Sequence, residues 1–459
     1  MKTDVAIVGG GPAGSSAAMY LARHGIEAVL VEKVPFPRYH IGESLTAEAG
    51  GLLRGLGFEQ RMLDDGHPIK HGVKVLGTSD WWVPAMQRLP DGTLTDQITW
   101  QVRRSDFDAM MLEEAEARGA TRVPGKVLKP LVDEDGTVRG LSVRPADGGD
   151  LTIEAEVVLD CSGQSTFMAT HGVAGPKYLG AYDKQIAIFS QVVGYQRDEG
   201  GERDQMPGNT LIHYKDKFVW AWSIPLDDEV VSVGVVSPAQ YFLDTGETKE
   251  DFIRRELRER HPDLARRTED VEFVEPVHVI PNYSFQVSNW AGKGFICVGD
   301  AHRFIDPIFS FGVYVTIREA SVAAEAVKAY LEGEGRDSDK PFHEHVVRAE
   351  RGIDVLEDLI DAFWENPLAF AVFVHSRYRD ALIDSFSGRI YAEDGVPTEF
   401  PQAMHAFRKL LKRERSYDDD RLFSVPIGSR FDPSRAPLWN STLDSVETTE
   451  RWMREEVAA

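Results

Sequence analysis

The sequence predicts an α/β (α+β) fold, in which a strand–helix unit is interleaved with a mixed or antiparallel sheet and followed by a helical C-terminal region. Three observations predict it. A buried strand, a glycine-rich turn and a helix of small residues occupy 5–24. Long alternating runs, typical of strands, extend over 185–236. A strand at 294–298 leads into an alanine-rich helix at 313–331, and the chain beyond 335 is mainly helical.

The elements at the start of the chain form a strand–helix–strand unit. Strands are predicted at 5–8 and 28–31, and the helix between them, at 12–24, ends at Gly25. Further strands, separated by turn residues and therefore arranged as a meander, are predicted at 126–132, 138–143 and 151–159. A charged amphipathic helix is predicted at 249–260.

The N-terminal unit and the segment at 294–331 are expected to meet in space, with the sheet inserted between them. The chain then divides into a discontinuous first domain, a sheet domain and a C-terminal helical region with a polar acidic tail. The predicted boundaries are 1–75, 101–165 and 285–345 for the first, 76–100 and 166–284 for the second, and 346–459 for the third.

The composition is that of a globular protein with an acidic excess. The 459 residues include 74 acidic and 51 basic side chains, which gives a net charge of −23. Nucleic acids and anionic membrane surfaces are polyanions, so neither is expected as a partner. Cys161 and Cys297 lie in apolar strand-like runs, which indicates buried free thiols, and the N-terminus lacks a signal-peptide pattern. We therefore expect a cytoplasmic protein.

The segment GGGPAG at 9–14 matches the G-x-G-x-x-G fingerprint of dinucleotide-binding turns. It follows a strand and opens a helix, and Glu32 ends the next strand. Gly9 allows the tight turn, Gly11 lets the backbone approach a pyrophosphate, and Gly14 lets the helix pack on the strand. Glu32 can accept hydrogen bonds from ribose hydroxyls. The segment therefore predicts a dinucleotide site, and NAD and FAD both remain open at this point.

Three later segments resemble those of the FAD-binding monooxygenase-like flavoproteins. They are QVRRSDFD at 101–108, DCSG at 160–163 and GDA at 299–301. The resemblance implies FAD as cofactor, held by a Rossmann-like domain, with Arg103 near the flavin and Asp300 accepting from the ribitol. By this resemblance the cofactor-binding residues are Gly9, Gly11, Pro12, Ala13, Gly14, Glu32, Lys33, Arg38, Ser44, Arg103, Asp300, Gly312 and Val313.

Further segments resemble the flavin-dependent halogenases, in the branch that acts on phenols and pyrroles. They are WAWSIP at 220–225, HPIKHGV at 67–73, the FPR and GESL runs within 36–45, and DPIFSFGV at 306–313. The resemblance implies that Lys70 is the catalytic residue and that no metal is bound. Backbone N–H groups of Phe311 and Gly312 would bind the halide, and Phe311 stands where the family commonly has a serine.

The implied chemistry is the oxidation of chloride, bromide or iodide by reduced FAD and oxygen to hypohalous acid. This oxidant is small and indiscriminate, so a halogenase must keep it from water and direct it to one substrate carbon. As an ammonium, Lys70 can hydrogen-bond to the hypohalous acid. As a neutral amine it can form a haloamine, which requires a pKa lowered by burial or by nearby cations. The sequence leaves both routes open.

Four tryptophans are candidates for the walls of the substrate chamber. Trp220 and Trp222 can separate an aromatic substrate from the flavin, and Trp81 and Trp82 can line an aromatic pocket near Lys70. Packing within a strand core explains the same residues. The expected substrate is an electron-rich phenol, pyrrole or indole, either free or tethered to a carrier protein, although the acidic net charge disfavours docking to an acidic carrier.

Two other functions share several of these segments. An FAD-dependent aromatic hydroxylase needs the FAD elements but neither Lys70 nor WAWSIP. A flavin-dependent reductase of an unsaturated lipid shares the FPR and GDA runs. Since the chain carries no second nucleotide-binding fingerprint, we expect a separate flavin reductase to supply reduced FAD.

Overall fold

The computed structural model describes residues 1–77, 80–179, 184–281, 284–374 and 378–390, together with 403–404, 406–407, 409 and 437–439. Two large sheets and the helices around them make up this part of the chain. No helix within these ranges is long and apolar enough to cross a membrane.

The first sheet has seven described strands and carries the nucleotide-type unit. Its strands are Lys2–Val8, Ala28–Glu32, Thr121–Val132, Val138–Pro145, Leu151–Asp160, Ala291–Gly292 and Phe295–Cys297. Lys2–Val8 pairs in parallel with both Ala28–Glu32 and Leu151–Asp160. The last four residues of each of these three strands are buried, as is typical of parallel strands covered on both faces.

The meander predicted after residue 120 forms this sheet's antiparallel part. Val138–Pro145 pairs antiparallel with the strands on both sides of it. The first strand of the meander is longer than predicted, since it begins at Thr121 rather than 126. Its additional N-terminal residues pair in parallel with Ala28–Glu32, a long-range contact that no local pattern announces.

The second sheet has eight described strands and comes from two separated parts of the chain. Its strands are Gly72–Leu76, Trp81–Pro84, Gln185–Val193, Thr210–Asp216, Val219–Pro225, Val231–Pro238, Glu272–Phe273 and His278–Pro281. Most neighbours are antiparallel, but Gly72–Leu76 pairs in parallel with Thr210–Asp216. This pair joins the Lys70 region to the main sheet.

Smaller strands complete the described sheets. Lys177–Leu179, Phe285–Val287, Arg303–Phe304 and Pro437–Trp439 form one sheet; Ile69–Lys70 pairs with Thr99–Trp100, and Met86–Arg88 with Leu94–Asp96. The α-helices are Pro12–Arg23, Ala47–Gly55, Glu59–Asp64, Arg104–Ala117, Phe167–Thr170, Ala239–Thr245, Lys249–Glu259, Pro262–Arg267, Gly312–Leu331, His343–Glu365, Pro367–Val374 and Arg379–Ser387.

The packing of two helices confirms the interleaved arrangement. Pro12–Arg23 packs against Gly312–Leu331, so the two distant nucleotide segments meet as expected. Beyond residue 335 the described helices are His343–Glu365, Pro367–Val374 and Arg379–Ser387, as predicted for a helical region. The predicted acidic tail lies outside the described residues, apart from the strand Pro437–Trp439.

Candidate active site

A cavity of about 820 Å³ opens where the parallel strands of the first sheet end. The carboxyl edge of a parallel sheet is where open α/β folds bind ligands. The glycine turn forms one wall: Gly9, Gly11, Pro12 and Ala13 line the cavity. Gly14 packs beneath them, since a Cβ at that position would lie 1.9 Å from the carbonyl oxygen of Gly9.

Glu32 shapes the same turn through its carboxylate. Its two oxygens accept hydrogen bonds from the backbone N–H groups of Gly10 and Val34, each at 2.7 Å. The side chain is buried in the cavity wall, and the exposed Lys33 lies beside it at the rim. The turn is therefore held in place by Glu32, which also lines the cavity.

Cationic and acidic side chains line the middle of the cavity. Arg104 donates two hydrogen bonds to Asp108, at 2.7 and 3.0 Å, and Arg38 lies 3.7 Å from the same carboxylate. Both arginines and Asp300 line the cavity. Burial raises the pKa of Asp300 to about 7, against the opposing effect of Arg104. Hydroxyl groups that donate hydrogen bonds to Asp300 would therefore stabilise its carboxylate form.

These features fit FAD. The cavity is long enough to run from the glycine turn to Trp222, its turn presents helix N-terminal N–H groups, and a Cβ on Gly11 would enter a space bounded by the Arg38 guanidinium. When bound, FAD in its reduced form supplies the oxidising chemistry with molecular oxygen. The chain's own residues bind it, position it and limit the access of water.

Arg103, predicted to approach the flavin, points elsewhere. Its guanidinium donates hydrogen bonds to Gln191 and Asp227, and Arg103 is not among the residues that line the cavity. The neighbouring Arg104 occupies the cavity wall instead. The QVRRSDFD segment leaves these two arginines indistinguishable, and the start of the helix Arg104–Ala117 decides which one turns inward.

Lys70 lies in a second, much smaller cavity of about 30 Å³. Its ammonium donates hydrogen bonds to Ser44 Oγ and to the carbonyl oxygen of Leu45, both at 2.8 Å. Lys70 is 2% exposed, and burial lowers its pKa to about 7. Lysine is almost never fully buried without a partner, so this burial marks Lys70 as a candidate functional residue.

Aromatic rings form much of the small cavity. Trp81, Phe309 and Phe386 line it together with Lys70. The Trp81 ring lies 6.2 Å from that of Phe309 and 5.6 Å from that of Phe386, in edge and tilted geometries. Trp82, predicted beside Trp81, faces the other way along the strand and lines neither cavity.

The two indoles of WAWSIP share one face of the strand Val219–Pro225. Trp220, Trp222 and Ile224 all line the large cavity. The indole rings are 5.7 Å apart, and Trp222 Nε1 donates to Ser232 Oγ at 3.2 Å. Trp220 Nε1 has no hydrogen-bond partner among the described residues. These rings thus form a wall of the cavity as well as part of the core.

The loop at 306–313 brings a helix start to the cavity. Asp306 caps the turn by accepting from the N–H of Ile308 at 2.9 Å, and Ser310 adopts a positive φ of 61°. Ser310, Gly312 and Val313 line the cavity, whereas Phe311 is fully buried and does not. The ring of Phe311 therefore packs in the core and does not narrow the cavity.

Three residues of the site were not predicted, although two of them, Gln101 and Arg104, lie within the QVRRSDFD segment. Thr210 lines the large cavity and Gln101 holds it, with Gln101 Nε2 donating to Thr210 Oγ1 at 2.8 Å. Arg104 is the third. Each is a common residue type at the edge of a strand or helix, and only the pairing of distant segments gives it a role.

The parallel strands end at a cavity large enough for a dinucleotide, lined by the glycine turn and by Glu32. These features are those of an FAD-binding oxidoreductase. The FAD binding domain family matches residues 2–340. The chain is 33% identical over 410 residues to the 1H-pyrrole-2-carbonyl peptidyl-carrier-protein brominase of Pseudoalteromonas luteoviolacea, covering 88% of this chain and 97% of that protein. It belongs to the flavin-dependent halogenases.

Two further comparisons agree. The chain is 28% identical over 463 residues to the 1H-pyrrole-2-carbonyl peptidyl-carrier-protein chlorinase of Pseudomonas fluorescens, covering 95% of this chain and 99% of that protein. The solved structure of the flavin-dependent brominase Bmp2 superposes with a TM-score of 0.81 at 32% identity, covering 90% of this chain and 98% of that chain. The halogenase interpretation is thereby favoured over the hydroxylase and the lipid reductase.

Proposed function

We propose that this halogenase acts on a pyrrole ring carried as an acyl group on a carrier protein, with Lys70 directing the oxidant. The observation that carries the proposal is the position of Lys70. It lines the small aromatic cavity and donates to Ser44, which lines the FAD cavity. A single hydrogen bond therefore separates the amine from a residue that lines the FAD cavity.

The size of the small cavity supports a small ring. About 30 Å³ holds about two water molecules, so any ring must displace Trp81 and Phe309, and a five-membered ring displaces them less than a fused indole does. Two halogenases are similar to this chain along nearly their whole lengths, and both are named for pyrrole-2-carbonyl groups on a peptidyl carrier protein. Docking to the carrier then relies on local surface charge rather than on the net charge of −23.

The halide, in this proposal, binds at the N–H of Gly312, which begins the helix Gly312–Leu331 beside the cavity. Glu32, Arg38 and Asp300 hold the FAD. A separate flavin reductase supplies it in reduced form. The cytoplasmic location stays a prediction, in accord with two buried cysteines that form no disulfide.

A paired substrate assay tests the proposal. The enzyme receives a flavin reductase, NADH, FAD, oxygen and bromide, with pyrrole-2-carbonyl either on a peptidyl carrier protein or as the free acid. We expect the bromine isotope doublet on the carrier-bound acyl group. Bromination of the free acid alone overturns the carrier assignment, and oxygen insertion without bromine overturns halogenation of this substrate.

Two lysine variants separate the role of Lys70 from general damage. Lys70→Ala is expected to lower product formation at least about a hundredfold while FAD content stays that of the wild type. Lys74→Ala is the matched control, because Lys74 lies four residues away and pairs with Asp204 at 3.4 Å. Normal bromination by Lys70→Ala removes Lys70 from the mechanism.

A further inference from the structure

Two hydroxyl groups connect Lys70 to the FAD cavity. Lys70 Nζ donates to Ser44 Oγ at 2.8 Å, and Ser44 Oγ lies 2.8 Å from Thr210 Oγ1. Ser44 and Thr210 line the large cavity, whereas Lys70 lines the small one. Both hydroxyl side chains are buried. The three groups therefore form a continuous chain of hydrogen bonds between the two cavities.

The surrounding strands fix this chain in place. Ser44 forms an isolated antiparallel bridge with Gln101, whose Nε2 donates to Thr210 Oγ1 at 2.8 Å and to the carbonyl oxygen of Gly208 at 2.9 Å. Gly208 allows the close approach, since a Cβ there would lie 2.1 Å from the carbonyl oxygen of Ile69. Four separated segments are thus held together around one polar path.

A count of hydroxyl protons shows that one of them is not used between Ser44 and Thr210. Ser44 Oγ already accepts from Lys70, and Thr210 Oγ1 already accepts from Gln101. One hydroxyl proton lies between Ser44 and Thr210, whichever residue donates it. Each hydroxyl has a single proton, so the other proton remains free for an acceptor in the FAD cavity.

We propose that Ser44 and Thr210 relay a proton from Lys70 into the FAD cavity as the halide is oxidised there. The inference rests on the proposed role of Lys70. Forming neutral hypohalous acid creates a halogen–oxygen bond, transfers two electrons from the halide to the oxidising oxygen that reduced FAD and molecular oxygen supply, and consumes one proton.

The proton comes from the ammonium. An Nζ–H bond of Lys70 breaks and leaves its electron pair on the amine; Ser44 takes this proton and passes its own to Thr210, which releases one into the cavity. The negative charge of the halide and the positive charge of the ammonium disappear together. This pairing matters in a buried site, where an isolated charge is costly.

The cycle closes at the substrate. When the halogen replaces hydrogen on the ring, the amine of Lys70 takes up the proton released from carbon and becomes an ammonium again. The hydroxide left by the hypohalous acid takes a proton from solvent and forms water. One proton is consumed overall for each halide incorporated, as the change from halide to carbon-bound halogen requires.

Thr210 provides the decisive variants, because it does not touch Lys70. Thr210→Val removes the hydroxyl with little change in shape, and Thr210→Ser retains it. We expect Thr210→Val to slow product formation at least about tenfold and to leave FAD content unchanged, whereas Thr210→Ser stays within about threefold of the wild type. Ser223→Ala is the control for the loss of a buried hydroxyl. Ser223 lies on the face of the strand Val219–Pro225 opposite to Trp222, so this variant should halogenate normally.

A second readout needs no FAD. The titration of Lys70, followed in the FAD-free protein by NMR of ¹⁵N-labelled lysine, should be unchanged in Thr210→Val and shifted to lower pH in Ser44→Ala, which loses an acceptor for the ammonium. The relay is overturned if Thr210→Val halogenates like the wild type. It is also overturned if Thr210→Val loses FAD, or if it shifts the titration of Lys70 in the way that Ser44→Ala does. An inactive Lys70→Ala beside an active Thr210→Val refutes the relay alone, while an active Lys70→Ala refutes the proposed role of Lys70 as well.

Discussion

Gly234 stands directly opposite Trp222 on the neighbouring antiparallel strand, and a Cβ added to Gly234 would lie 2.2 Å from the indole ring. The absent side chain is what lets a second tryptophan fit on this face. Trp222 then reaches the cavity while its Nε1 donates to Ser232. The packing of the two indoles thus depends on Gly234, which lies on the next strand of the sheet.

Replacing that glycine should move the wall of the cavity. Gly234→Ala forces the Trp222 ring to shift, which we expect to cost about 1–3 kcal/mol of unfolding free energy. Bound FAD should show an altered fluorescence, since the displaced ring lines its cavity. Val233→Ala, whose side chain lies in the core on the opposite face, should lower the stability without changing the flavin spectrum. An unperturbed spectrum in Gly234→Ala contradicts this account.

The indoles should control which oxidation products escape. Trp220→Ala opens space between the FAD cavity and its surroundings, so we expect more hydrogen peroxide or oxygenated product per reduced FAD consumed, by at least about twofold. The measurement is the ratio of halogenated product to FAD oxidised. Trp82→Ala is the matched control because Trp82 lines neither cavity. Equal ratios in the two variants would show that Trp220 serves only packing.

Asp300 should make FAD binding depend on pH. Its raised pKa, about 7, means that it is largely protonated at pH 6 in the FAD-free protein. Ribitol hydroxyls that donate to the carboxylate lower that pKa, so binding releases a proton and the affinity should rise between pH 5 and 7 before levelling off. Titration of FAD into Asp300→Asn should show weaker binding and a flatter profile. An identical profile in the variant removes Asp300 from the cofactor site.

The burial of Lys70 should make the unfolding free energy of the protein depend on pH. Its pKa is about 7 in the folded chain and near 10.5 when unfolded, so between these values the unfolded state binds more protons. The penalty for burying the ammonium is full below pH 7 and is relieved as the pH rises. Relative to Lys70→Met, the wild-type unfolding free energy should therefore gain about 2 kcal/mol between pH 7 and 9 in denaturant titrations. Parallel pH profiles for the two proteins would show that Lys70 is not buried as an ammonium.

Much of the fold follows from local patterns in the chain. The GGGPAG turn, the apolar strands beside it and the small-residue helix determine one another within about 30 residues. The nucleotide-type unit was therefore predictable to within about one residue, except that its first strand begins at Lys2 rather than at residue 5. The start of the strand at Thr121 was not, because its first residues are ordered by pairing with Ala28–Glu32. Boundaries set by a distant partner leave no local pattern.

The candidate site divides in the same way. The glycine turn, Asp300, Lys70 and the tryptophans Trp220 and Trp222 belong to recognisable segments, and the roles of these residues stay predictions. Arg103 and Arg104 show the limit of such reasoning, since both belong to one segment and only Arg104 lines the cavity. A one-residue change of position around a helix start turns a side chain through roughly 100°.

By itself the sequence determined the α/β class, the dinucleotide turn and the resemblance to flavin-dependent halogenases, because these depend on residues that are close together in the chain. The tertiary structure alone decided that Lys70, Ser44 and Thr210 form one hydrogen-bonded path. Their separations along the chain are 26 and 166 residues. Hydrogen bonds of 2.8 Å between such segments arise from strand pairing and from the close approach that Gly208 permits, and neither can be derived from one stretch of sequence.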